Sequence, residues 1–113
     1  MIIYNDRGTF DCGGKKYRGS IMVRTGHICS RWHSRRSHAI TRNDIQPLFR
    51  KKPEVLVIGT GSTGNIDVKP SVFALCDNQR IKFIVQHTPH AVRTYNTYTR
   101  KGYETIGVFH GSC

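Results

Sequence analysis

No apolar run in this chain approaches the roughly 18 residues that crossing a bilayer as a helix requires. The longest are Val55-Leu56-Val57-Ile58 and residues 81–85, so no membrane is expected as a partner. Acid is equally scarce. Seven Asp and Glu stand against eighteen Lys and Arg, leaving +11, a field that attracts anions, acidic protein surfaces or nucleic acid without saying anything about fold. The only four cysteines, Cys12, Cys29, Cys76 and Cys113, lie far apart. They lack the dense framework of a secreted mini-protein and are read as thiols in a reducing compartment. Residues 1–6 reach an acid before any apolar core of signal-peptide length and have none of the Arg-rich character of a presequence, so a cytoplasmic location is expected.

With 113 residues, 37% of them hydrophobic, the chain has the size of one domain and enough apolar surface for a core. Its halves differ. Before Pro53 there are twelve basic and three acidic residues, and after it six and four, so +9 of the +11 lies in the N-terminal half. That half alternates, with Thr9, Cys12, Tyr17, Ile21 and Val23 between glycines, a pattern of short antiparallel strands. Gly13-Gly14 is a two-residue hairpin signal and Thr25-Gly26 a weaker one.

After Pro53 the rhythm changes. The two apolar runs suit strands buried on both faces. Between them Pro70 opens a helix over 70–78, proline's fixed φ and missing N–H fitting a first turn. Thr88-Pro89 repeats that signal as N-cap and first helical residue, Ala91, Val92 and Tyr95 recur at helical spacing, and Gly102 ends the helix. A last strand covers 103–110. The linking segment adds a helix over 44–51 capped by Asp44. The fold expected is a single α/β domain over 1–113: a mixed β-sheet flanked by helices, with N-terminal antiparallel strands followed by strand, helix, strand, helix, strand.

Gly59-Thr60-Gly61-Ser62-Thr63-Gly64 satisfies G-x-G-x-x-G after a buried strand, yet residues 65–69 intervene before a helix can start. No carboxylate ends the next strand, Val85-Gln86-His87, to hold a ribose hydroxyl, so no dinucleotide is implied. No Lys-Ser or Lys-Thr pair makes it a P-loop. His87, His90, His110 and Cys113 lack CxxC or HExxH spacing, so no metal is called for. Cys113 and His110, three apart on a strand, would face opposite sides, and Cys76 sits among apolar helix residues; neither reads as a nucleophile. No cofactor is implied. Arg31, Trp32, Arg35, Arg36 and Arg42 form the densest basic stretch, an aromatic among guanidinium groups of the sort that stacks on a base while holding phosphates.

Trp32 after the strand region, residues 53–61 running into Gly64, Thr88 before Ala91-Val92 and Tyr95-Asn96, and His110 before Cys113 occur in an order that resembles the Mth-nine-three-eight-domain family. This is a domain of unknown function that includes the adipogenesis-associated protein and respiratory complex I assembly factor three. The resemblance spans nearly the whole chain. It implies one α/β domain with a mixed central sheet, supplies no reaction, and points to the protein contacts through which the characterised eukaryotic members act as assembly or regulatory factors. The family's recurring positions fall on Gly59, Gly61, Gly64, Thr88, Asn96 and Cys113. The chain departs from the family in the basic stretch at 31–42 and in having no presequence like that of the mitochondrial members.

Two roles are open for the shared positions. Gly59, Thr60, Gly61, Ser62, Gly64 and Thr88 would offer N–H and hydroxyl donors to a small anion or an acidic partner group where parallel strands end, with Asn96 steadying the helix. Alternatively they fix the fold, the glycines through φ > 0, Thr88 as a cap and Asn96 as a satisfied amide. The functional expectation is a non-catalytic binding, assembly or regulatory protein with a protein partner. The alternative is a nucleic-acid binder using residues 31–42, and the third reading an enzyme that would need Thr88, Ser62 or Cys113.

Overall fold

Val55-Leu56-Val57-Ile58 is buried along its whole length, and the rest of the architecture follows from covering both of its faces. The computed structural model describes residues 1–5, 8–26, 28–33 and 38–111, the side chain of Ile28 excepted. The N-terminal strands are β1 (Ile2–Asn5), β2 (Thr9–Cys12), β3 (Lys15–Arg18), β4 (Ile21–Arg24) and β5 (Ile28–Arg31), followed by the short β6 (Ala39–Ile40). Then come α1 (Arg42–Ile45) and a 3-10 turn over Gln46–Arg50, β7 (Val55–Gly59), β8 (Asp67–Val68), α2 (Pro70–Asn78), β9 (Lys82–Gln86), α3 (Thr88–Arg100) and β10 (Thr105–Phe109).

The main sheet has the order β5-β4-β10-β7-β9. β7 pairs in parallel with both β10 and β9, while β4 runs antiparallel to β10. The last strand is thus inserted at the centre, and the mixed sheet expected from the sequence is observed. A second, antiparallel sheet, β1-β2-β3, turns from β2 to β3 at Gly13-Gly14, whose φ values of 61° and 87° are those a two-residue hairpin needs and a β-carbon resists. α2 packs on one face of the main sheet with Trp32, Phe49 and the even-numbered residues of β7 and β10. α3 packs on the other with the β1–β2 sheet, Val55, Val57 and Phe109.

α2 spans the residues expected, and α3 likewise ends before Gly102. Three local readings are corrected. Thr41, not Asp44, caps α1; Asp44 is the third helical residue, its buried carboxylate accepting from the Thr41 N–H at 2.8 Å and the Thr41 hydroxyl at 3.1 Å. The α-helix then tightens into the 3-10 turn at Gln46-Pro47, where proline brings no N–H to continue an α-helical ladder. His87, not Thr88, caps α3, which frees the Thr88 side chain for another task. Cys12 and Cys29, read as thiols, form a disulfide with 6.7 Å between Cα atoms. It joins β2 of one sheet to β5 of the other, a proximity that a separation of 17 residues does not announce. Cys76 is free and buried, and Cys113 lies outside the described residues. The reducing compartment inferred from four thiols loses its basis. Among the described residues no helix is long and apolar enough to cross a membrane.

Candidate functional site

β7 leaves the sheet toward the α2 face and β9 toward the α3 face. Parallel neighbours whose carboxyl ends diverge in this way open a crevice, the usual ligand position in such sheets. Here residues 59–61 and 86–88 form its two walls, and hydrogen bonds close it. Gln86 O accepts from the Thr60 N–H at 2.9 Å and the Thr60 hydroxyl at 3.2 Å. The Thr88 N–H donates to Gly61 O at 2.9 Å. The fully buried Thr88 hydroxyl accepts from the Gly61 N–H at 2.9 Å and donates to His110 O at 2.7 Å.

Thr88 therefore ties three chain segments together, and the Thr60, Gly61 and Thr88 donors expected to face an anion are engaged inside the fold. Gly59 makes this approach possible. A β-carbon there would stand 2.8 Å from Thr88 Oγ1, closer than β-carbons approach, and 3.0 Å from the Phe109 ring and 3.1 Å from Thr88 Cα, tighter than most contacts. Ser62 is exposed at the loop tip, and the His87 ring lies over Gly64.

Asn96 belongs to a different place. Eight residues along α3 from Thr88, and so about 12 Å down its axis, its side chain accepts from the Ile2 N–H at 2.9 Å and donates to Ile2 O at 2.8 Å. It pairs with β1 as a neighbouring strand would, holding the N-terminal strand against the helix rather than steadying the helix itself.

The basic stretch divides. Arg31 and Arg42 are exposed, with Arg42 Nε donating to Gln46 Oε1 at 3.2 Å, and Arg35 and Arg36 lie outside the described residues. Trp32 is 8% exposed and meets the His110 ring edge-on at 5.8 Å, so it plugs the core and presents no face to a base. His110 is buried as well. Loss of water pulls its pKa below the usual histidine range, aided by the charge of His38 and opposed by the Gly59 backbone, and its Nδ1 has no hydrogen-bond partner among the described residues. Burial pushes the Cys76 thiol up to about 11, where it is neither a nucleophile nor a ready metal ligand at neutral pH. No three His, Cys, Asp or Glu side chains among the described residues are grouped to hold a metal.

One open surface is at the sheet edge. Among the described residues β9 pairs with β7 alone. On its α2 side lies a groove of about 480 Å³ lined by Phe73, Ala74, Cys76, Asp77, Ile81 and Phe83, with Phe73 half exposed. On its α3 side lies a hollow of about 270 Å³ that includes Gln86, Arg93, Thr97, Tyr98 and Lys101. Sequence reasoning missed this edge, although one signal was present: residues 80–101 carry five Lys and Arg and no Asp or Glu.

Residues 3–110 match a family described as "Protein of unknown function (DUF498/DUF598)". The fold is similar to that of a conserved hypothetical protein, PH1505 from Pyrococcus horikoshii OT3, at 18% identity and TM-score 0.89, covering 100% of this chain and 99% of that one. It is similar also to a protein called MT938, at 22% identity and TM-score 0.83, covering 100% and 98%. A structure described as an outer membrane protein from Bartonella henselae matches at 23% identity and TM-score 0.76, covering 96% of this chain and 90% of that one. At these identities the likeness is one of fold.

Proposed function

The chain belongs to the DUF498/DUF598 family of proteins of unknown function, and from that footing we propose that it is a non-catalytic binding protein of the assembly or regulatory kind whose target is another protein. One contrast carries the reading. The crevice where this sheet topology usually holds a small ligand is closed by the Thr60, Gly61, Gln86 and Thr88 hydrogen bonds, whereas a strand edge with a half-exposed phenylalanine beside it is open. Donors engaged inside the fold are not offered to a substrate, and open strand edges pair with other chains. The charge of +11 suits an acidic partner.

The test is cross-linking in the source cell, identification of the captured protein, and titration of the two purified components. A saturable complex of fixed stoichiometry is expected. The reading is overturned if no captured protein binds when pure while phosphate or a metabolite panel stabilises the fold and shifts residues 59–64. A nucleic-acid target is the second reading, favoured by the exposed Arg31 and Arg42. It predicts RNA or duplex DNA binding that collapses between about 50 and 200 mM salt.

A further inference from the structure

β9 is an edge strand without the usual protections. It has no proline, its register with β7 is continuous and so free of bulges, and its single charge is Lys82. Proteins commonly cover or distort such an edge, yet among the described residues no strand pairs with its far side. The pairing pattern identifies the open groups. The Lys82 N–H donates to Glu54 O at 3.0 Å and Gln86 O accepts from the Thr60 N–H at 2.9 Å, so residues 82, 84 and 86 turn their backbone groups toward β7. In a parallel ladder the intervening residues face the other way, which leaves the N–H and C=O of Phe83 and Val85 on the outer edge.

The side chains on the two faces of this edge differ in kind. Phe83 and Val85 point to the α2 face, where the half-exposed Phe73 ring stands edge-on to Phe83 at 4.8 Å. Lys82 and Gln86 point to the α3 face, with Lys82 Nζ 5.3 Å from the Tyr98 ring and Gln86 Oε1 accepting from Thr94 at 2.6 Å. Arg93 and Lys101 extend that face, and among the described residues none of these three cations pairs with a carboxylate. One face offers the Phe73 and Phe83 rings, with the Asp77 carboxylate at the groove's rim, and the other is basic without counter-charge.

We infer that β9 accepts an extended, acidic segment of a partner protein as a sixth strand of the main sheet. Residues alternate between the faces of a strand. The segment therefore alternates apolar side chains, which enter the Phe73–Phe83 groove, with Asp or Glu, which meet Lys82, Arg93 and Lys101. Charge argues against a second copy of this chain in the same place, because pairing β9 with β9 brings two uncompensated basic strips together. The inference rests on the reading of the protein as a protein-binding module and deepens it by naming the surface and the chemistry of the partner.

The test uses the whole chain and a synthetic peptide of alternating valine and glutamate, with a lysine-for-glutamate peptide as control. Amide hydrogen exchange reads the edge directly. The Phe83 and Val85 amides exchange quickly in the free protein and slow by roughly tenfold or more at saturating glutamate peptide. Arg93→Glu with Lys101→Glu, both at exposed or partly exposed positions, weakens the peptide by roughly tenfold, and Phe73→Ser weakens it independently. Unchanged exchange at both amides, equal binding of the lysine peptide, or protection that rises with protein concentration in the absence of peptide overturns the assignment, the last by showing self-pairing. A captured partner that binds tightly but leaves both amides unprotected refutes this edge while the protein-binding reading stands. Failure of every purified partner to bind refutes both.

Discussion

Thr88→Val tests whether the crevice is closed by design of the fold. Valine keeps the volume and branching of threonine, so the packing around this fully buried side chain changes little, and the perturbation is the loss of one hydroxyl. That hydroxyl serves two backbone groups: it accepts from the Gly61 N–H at 2.9 Å and donates to His110 O at 2.7 Å. Neither reaches another partner without moving the loop, and each buried group left unsatisfied costs about 1–3 kcal/mol. The expected destabilisation is therefore about 2–6 kcal/mol, a large part of the stability of a domain this size. Thr88→Ser keeps the hydroxyl and removes one methyl, for a cost of about 1 kcal/mol. Urea unfolding of the three proteins gives the ordering, wild type above serine above valine, and hydrogen exchange shows the Gly61 amide losing protection in valine alone. If valine costs less than about 1 kcal/mol, or no more than serine, the staple is not structural. The loop would then be available to a ligand, and the argument for a protein partner would lose its main support.

Three further outcomes are expected. Asn96→Ala removes both hydrogen bonds to Ile2 and destabilises by about 1–3 kcal/mol, with the Ile2 amide exchanging faster while the Gly61 amide does not change. Reduction, or Cys12→Ala with Cys29→Ala, removes the bond between the two sheets; closing a loop of this length is worth about 3 kcal/mol, read as a shift of the urea midpoint with and without reductant, and Cys76→Ala gives no such reductant-dependent shift. His110, whose pKa burial lowers, binds its proton less readily folded than unfolded, so its contribution is fully present above the unfolded value of about 6.5 and is lost as pH falls from there toward the folded value. A plot of stability against pH over that window slopes upward with pH, and His110→Gln reduces the slope; an unchanged slope refutes the assignment.

The strands and helices after Pro53 were legible because their signals are local. Proline at the start of α2 and α3, an unbroken apolar run in β7 and a glycine after α3 act within a few residues of one another. The same holds for the Gly13-Gly14 hairpin. Thr41-x-x-Asp44 is an equally local signal, a capping pair that starts the helix at Arg42 rather than after Asp44. The Cys12–Cys29 bond, the closing of the glycine loop and the role of Asn96 were not legible, since each joins residues 17 to 94 positions apart.

The candidate site shows the division most clearly. Composition and motif placed glycines and Thr88 together at the carboxyl ends of parallel strands, and β7 and β9 are indeed parallel neighbours. Whether their donors face outward or inward depends on where β10 lies, and no pattern in residues 105–109 says that it enters between β4 and β7. That insertion brings His110 O within reach of the Thr88 hydroxyl and closes the crevice. It also leaves β9 as an outer strand. The element types, the charge excess and the single α/β domain were determined by the sequence itself, because propensity, periodicity and net charge are properties of neighbours along the chain. Which donors are occupied, which cysteines meet and which strand edge remains open were decided by the tertiary structure alone, because each depends on strand order, and strand order is set by the burial of both faces of the whole sheet at once.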